Sequence, residues 1–220
     1  MTFSIVAKDL RTGAFGVATA TGGPVVGSLV PHARADVGAI ATQGYTTNPF
    51  YGFEGLDLLA SGKTAMATVE QLVAADAGRE RRQCIAVGRD GEVRAWTGAE
   101  ILAYNGSLVR QGFGVCGNLL TGAQVLEAMV DAFESKVGQT LEDRLIAALE
   151  AGQNAGGDQR GTTSAALKVY GSEIYPLVDI RSDWSDRPVD HLGQILEATR
   201  GEKYASFFKR LPTRANPDSG

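Results

Sequence analysis

The sequence predicts an α+β fold of mainly antiparallel sheets covered by paired helices. Three observations carry that expectation. Extended segments arrive in consecutive groups rather than singly between helices, and helical segments come as neighbouring pairs. No Pro-, Gly- or Ser-rich linker divides the 220 residues, so one domain is expected over 1–211, followed by a polar tail at 212–220.

Each element has its own signal. Phe3, Ile5 and Ala7 alternate with Thr2, Ser4 and Val6; Leu10–Gly13 turns the chain, and Phe15–Thr19 completes an N-terminal hairpin. Val25–Val30 and Val37–Thr42 read as two more strands, with Pro31, Arg34 and Asp36 between them. After Asn48-Pro49, apolar residues recur at intervals of three and four (Phe50, Phe53, Leu56, Leu59, Ala60), predicting a helix closed by Gly62. A second helix is expected over Thr64–Ala75. Gln83–Val87 and Val93–Thr97, flanking Arg-Asp-Gly-Glu, make the clearest hairpin signal in the chain. Gly114–Leu120 leads as a short strand or loop into a helix over Gly122–Lys136, and Thr140-Leu-Glu-Asp143 opens another that runs to Gly152. Strands follow at Ser164–Tyr170 and Tyr175–Arg181, then an amphipathic helix at Val189–Ala198.

Composition narrows the function classes. Glycine is abundant, 28 of 220 residues, against a usual level of roughly 7%, so many tight turns and close backbone approaches are expected. The net charge is −4 and no long run of like charge occurs, which argues against a nucleic-acid partner. Apolar runs fall short of the roughly 18 residues a membrane span needs. The N-terminus has no basic region followed by a long apolar core, so the chain is expected in the cytoplasm. Cys84 and Cys116 form no CxxC and read as buried small hydrophobes. His32 and His191 lack companions at metal-ligand spacing, so no metal is expected. Gly112–Gly117 spells GxGxxG, but without the preceding strand of a βαβ unit it is a weak dinucleotide signal.

The N-terminus carries the chemistry. Thr2 is small enough for Met1 to be removed by a methionine aminopeptidase, which would leave a threonine bearing both a hydroxyl and a free α-amine. An α-amine has an ordinary pKa of about 7.7–8, so a useful neutral fraction can accept the hydroxyl proton. Nucleophile and base would then share one residue. A retained Met1 would replace that amine by an amide, which takes no proton near neutrality. Thr2 is equally ordinary as the first residue of a strand. Ser4, two residues along on the same face, is a fallback nucleophile, a substrate contact or a plain strand hydroxyl.

A set of ordered blocks extends this reading: Thr2-Phe-Ser-Ile-Val-Ala, Gly16-Val-Ala, Val37-Gly-Ala-Ile-Ala-Thr-Gln43, Asn48-Pro-Phe-Tyr-Gly52, Gly55-Leu56, Arg82-Gln83, Gly117-Asn-Leu-Leu120, Ala155-Gly-Gly-Asp-Gln-Arg-Gly161, Ser164-Ala-Ala-Leu167 and Asp179-Ile-Arg-Ser-Asp183. Together they resemble the domain of unknown function 1028 family, over roughly residues 2 to 184. The resemblance implies the N-terminal nucleophile (Ntn) hydrolase superfamily, with a four-layer α-β-β-α sandwich and Thr2 as nucleophile. It also implies a basic side chain about thirty residues later, an offset at which Arg34 stands, as an electrostatic helper or as a solvated turn residue. Gln43 and Asn48 offer neutral amide donors suited to an oxyanion. Asn118 could act likewise or cap a helix. Asp158 and Arg160 could hold a polar substrate or pair with each other. Asp179, Arg181 and Asp183 alternate on one strand face, as solvent face or pocket wall. The expected activity is hydrolysis of a small amide or ureido C–N bond without metal or organic cofactor, in a homo-oligomer. The alternatives are a peptidase of the same mechanism and a non-catalytic ligand-binding or scaffold protein.

Overall fold

A computed structural model describes residues 2–219. Among them, ten strands and six α-helices follow one another in groups. The strands are β1 (Thr2–Lys8), β2 (Phe15–Thr21), β3 (Pro31–Arg34), β4 (Gly38–Gly44), β5 (Arg82–Val87), β6 (Val93–Thr97), β7 (Tyr104–Arg110), β8 (Phe113–Leu120), β9 (Ser164–Tyr170) and β10 (Val178–Ser182). The helices are α1 (Phe50–Ala60), α2 (Ala65–Ala75), α3 (Gln124–Ser135), α4 (Leu141–Asn154), α5 (Pro188–Thr199) and α6 (Glu202–Phe208). They build a mixed α+β fold with two antiparallel sheets: six strands in the order β10-β9-β2-β1-β8-β7, and four in the order β3-β4-β5-β6. No helix of the described residues is long and apolar enough to cross a membrane.

Strand alternation sorts side chains into three apolar clusters. Phe3, Ile5 and Ala7 of β1 join residues of α3, α4 and α5 on one face of the larger sheet. Val6, Phe15, Val17, Cys116 and Ala166 meet Ala39, Ala41, Ile85 and Val87 of the smaller sheet in a second cluster. On the other face of that sheet, Ile40, Cys84 and Ala86 pack with Leu56, Leu59, Val69 and Leu72 of α1 and α2. Both faces of β1 are therefore buried, and the close fit shows at Gly16, where a Cβ would come within 2.5 Å of Leu145 Cδ1 on α4. Thr64 and Thr140 cap α2 and α4 by accepting the N–H groups of Ala67 and Asp143.

Several expectations are corrected. Val25–Val30 is not a strand: Val25 sits at φ +53°, outside the extended region, and a 3₁₀ turn follows at Val26–Ser28, so the third strand is Pro31–Arg34. Leu102–Gln111 contains an unforeseen strand, β7, at the edge of the larger sheet. The GxGxxG stretch enters β8 itself rather than a strand-to-helix turn, so its backbone N–H groups serve a sheet and not a phosphate. Phe50 and Phe53, assigned to the inner face of α1, are largely exposed. The last strand begins three residues late, at Val178, and α6 lies in a stretch with no predicted element.

Candidate functional site

Thr2 lies in the middle of the larger sheet, between β2 and β8, at the edge where β1 begins. Its register partners are Thr21 and Asn118, so these three side chains stand in a row on the face turned to the smaller sheet. There, Gln43, Gln83 and Thr97 make a second row through their pairing across β4, β5 and β6. Two polar rows thus meet at one end of a layer whose remainder is apolar.

Thr2 is buried, with 6% of its surface exposed, and its Oγ1 lies 3.1 Å from Thr21 Oγ1. Ser4 Oγ donates to Gln43 Oε1 at 2.6 Å and lies 2.8 Å from Thr19 Oγ1. Gln43 Nε2 donates to the Thr2 carbonyl at 3.1 Å and to Gln83 Oε1 at 2.7 Å. Gln83 Oε1 also accepts from Asn118 Nδ2 at 2.9 Å. Gln83 Nε2 in turn meets Gly117 O at 2.8 Å, Thr97 Oγ1 at 2.9 Å and Gly106 O at 3.3 Å. Burial of so many amides is affordable only because they satisfy one another.

Asp158 closes the site from the loop after α4. Its side chain is fully buried, accepting the Gly22 N–H at 2.6 Å and the Arg160 N–H at 2.9 Å, with the Arg160 guanidinium 3.1 Å from Oδ2. The carboxylate joins the loop to the end of β2, one residue past Thr21. Backbone strain gathers here too. Val25, Ala103 and Leu119, all non-glycine residues at φ near +50°, stand in segments flanking this end; among the described residues only Asp36 shares that conformation elsewhere.

The structure thus brings Thr2, Ser4, Gln43 and Asn118 together, with Asp158 and Arg160 beside them, but leaves Arg34 and Asn48 apart. Arg34 pairs with Gly38, at the far end of β4 from Gln43, and points to the helical face, where it bonds Asp57 of α1 at 2.8 Å. A strand shows alternate faces at successive residues, and the side chain turned towards the other sheet is that of Ala33. Asn48 likewise belongs to the helical side: its Nδ2 donates to Asp76 at 3.1 Å and its Oδ1 accepts the Phe50 N–H. Gln43 is inside the site, and its Nε2 bonds the Thr2 carbonyl and Gln83 Oε1. Asn118 caps no helix, because α3 begins six residues later.

Asp179 bonds Lys168 and Asp183 bonds Arg181, so these strand charges are paired with near neighbours. Cys84 and Cys116 are free and buried, and burial pushes the Cys84 thiol up to about 12, far from a reactive thiolate. Gln83, Thr19 and Thr21 were not foreseen as site residues. Their signal was present: each is a polar residue at an inward position of a strand whose other inward positions are mostly apolar. Met1 lies outside the described residues.

No curated protein matches the chain. Among solved structures it is similar to the crystal structure of protein SPO2555 from Silicibacter pomeroyi, with 35% identity and a TM-score of 0.92 over 99% of this chain and 94% of that one. A remote likeness, to Anbu (ancestral beta-subunit) from Yersinia bercovieri, has 11% identity and a TM-score of 0.41 over 96% and 98% of the two chains, too slight to carry an inference. The DUF1028 model, described as a family of unknown function, matches residues 2–192, and the chain belongs to that family.

Proposed function

We propose that this protein is an Ntn-type amidohydrolase on a four-layer α-β-β-α sandwich, with Thr2 as its nucleophile once Met1 has been removed. The single observation that carries the reading is the placement of Thr2: its hydroxyl stands at the rim of the inter-sheet layer, on the side of a buried network of hydroxyls and amides. The three apolar clusters, one between the sheets and one under each set of helices, support the layered architecture.

In the reaction, Thr2 Oγ1 attacks the carbonyl of a small amide or ureido compound while its proton passes to the α-amine of the same residue. The ordinary pKa of an α-amine, about 7.7–8, leaves a neutral fraction able to accept that proton near pH 7. The tetrahedral intermediate collapses as the amine returns the proton to the leaving nitrogen, giving an ester on Thr2. Water, giving a proton to the same amine, then adds to the ester carbonyl; the bond from the acyl carbon to Thr2 Oγ1 breaks as the amine returns that proton to Oγ1, and the acid leaves. Asn118 and the Asp158–Arg160 loop are the nearest candidates for substrate contacts.

A ligand-binding protein without activity draws support from the same burial. Thr2 is 6% exposed and its hydroxyl lies 3.1 Å from that of Thr21, an arrangement that suits a buried strand residue as well.

Intact mass of the protein from its own host decides first, since loss of the methionine mass is required for the enzyme. Thr2→Ala is then expected to reduce hydrolysis, screened over ureido acids, cyclic imides, acyl-amino acids and short peptides, to background. It removes one hydroxyl–hydroxyl bond, worth about 1 kcal/mol, and lowers Tm by only about 2–4 °C. Turnover that survives Thr2→Ala, or a native protein that keeps Met1, overturns the proposal.

A further inference from the structure

We propose that Gln83 is the positioning residue of this site: its carboxamide sets the polarity of a buried amide chain that holds the Thr2 carbonyl in one orientation. Main-chain carbonyls only accept hydrogen bonds. Gly117 O and Gly106 O, at 2.8 and 3.3 Å, therefore require the nitrogen of Gln83 at that end of its side chain. The opposite end is then Oε1, and both groups that meet it must donate, as Gln43 Nε2 and Asn118 Nδ2 do. With its nitrogen so fixed, Gln43 gives its second proton to the Thr2 carbonyl and receives the Ser4 hydroxyl on Oε1. Neither glutamine can turn over without setting oxygen against oxygen, and both residues are 0% exposed, so no water relieves the conflict.

The consequence falls on Thr2. The first residue of a strand frays more readily than its middle, even with a partner strand on each side. Here a bond from the other sheet fixes the Thr2–Phe3 peptide plane, which limits rotation about the Thr2 Cα–C bond and so restrains the Cα that carries both the amine and the hydroxyl-bearing Cβ. Gln83 touches neither Thr2 nor a reacting atom, and acts through Gln43. Its meaning for catalysis rests on the reading of Thr2 as nucleophile, whereas the restraint itself does not.

The restraint is tested by NMR of the full chain. Wild type is expected to show a scalar coupling across the hydrogen bond between Gln43 Nε2 and the Thr2 carbonyl carbon; its absence overturns the proposal. Gln83→Met keeps the length but removes the donors and acceptor, and the Thr2 carbonyl resonance is expected to move upfield and broaden. An unmoved resonance in a folded variant overturns the proposal. Should Gln83→Met fail to fold, Gln83→Glu is expected to give a Thr2 carbonyl signal that follows the titration of the new carboxyl, near its wild-type position when protonated and upfield when ionised. A signal that ignores that titration counts against the proposal. Catalytic meaning is read separately from labelling of the Met1-free protein by a peptide epoxyketone, whose ketone and epoxide carbons bond the hydroxyl and amine of one residue with no leaving group. Gln83→Met is expected to slow labelling at saturating probe by at least about tenfold with the half-saturating concentration unchanged, and equal maximal rates overturn the positioning role. A wild type that resists the probe overturns the nucleophile reading, while the carbonyl measurements still decide the restraint.

Discussion

Asp158 is a carboxylate with no exposed side-chain surface, and its burial is compensated by the N–H groups of Gly22 and Arg160 together with the Arg160 guanidinium. Removing it takes the acceptor from both donors in a partly buried loop. Asp158→Ala is therefore expected to destabilise the protein by about 2–4 kcal/mol, a fall in Tm of roughly 5–15 °C. Asp158→Asn keeps one acceptor oxygen and should recover about half of that loss. Calorimetry on the three proteins checks this, and equal Tm values for Asp158→Ala and wild type would show that the loop is held by other bonds. The sequence already offered the Asp158–Arg160 pairing, because a single residue separates the two oppositely charged side chains in a glycine-rich turn. It could not show the bond to Gly22, 136 residues away. Arg34 stands apart from Thr2 for a different reason: spacing along a chain locates a strand but not the face a residue takes, and a shift of one residue carries a charge to the opposite side.

At the level of elements, the segment after β4 is moored by Asp76 at the end of α2. Asn48, Arg82 and the Gly78 N–H all donate to it, while Arg82 also bonds the Thr46 carbonyl at 2.7 Å. Burial pushes the Asp76 carboxyl up, but those hydrogen bonds outweigh it and hold the pKa at about 2, against an ordinary 3.8. Because the folded-state value is the lower one, this stabilisation is complete above about pH 4 and is lost as pH falls from 4 towards 2. The shift corresponds to about 2 kcal/mol. Denaturant unfolding of wild type and Asp76→Asn at pH 7, 4, 3 and 2 should show a gap at pH 7 that closes by that amount towards pH 2; a constant gap would mean that the carboxylate is not what anchors the segment. Elements were legible wherever period and cap agreed, as in α2 and α4 with Thr64 and Thr140. They were illegible where a strand is short or one-sided. Pro31–Arg34 has four residues and begins with proline, and β7, an edge strand, shows little alternation in its largely exposed YNGSLVR.

For the whole molecule, the grouping of strands and helices was enough to predict antiparallel sheets with helical cover, but not how one sheet lies over the other. That relation depends on side chains meeting between strands far apart in sequence, and glycine is the residue that conceals it. Gly114 looked like part of a phosphate loop, whereas a Cβ there would come 2.8 Å from Ile85 Cδ1 and from Val93 Cγ1 of the opposite sheet. Its missing side chain is the space that Ile85 fills. Gly114→Ala is accordingly expected to cost about 1–3 kcal/mol by overpacking, despite the usual benefit of removing a strand glycine. Ile85→Val, which deletes the very Cδ1 the new methyl meets, costs about 0.5–1.5 kcal/mol alone. Since one deletion makes room for the other addition, the double variant should be less destabilised than the sum of the singles by at least about 0.5 kcal/mol, and Val93 keeps the rescue partial. A double-mutant cycle by chemical denaturation measures this directly. Strict additivity would mean that Gly114 and Ile85 do not touch, and the facing of the two sheets that sets Gln43 and Gln83 beneath Thr2 would then be wrong as well.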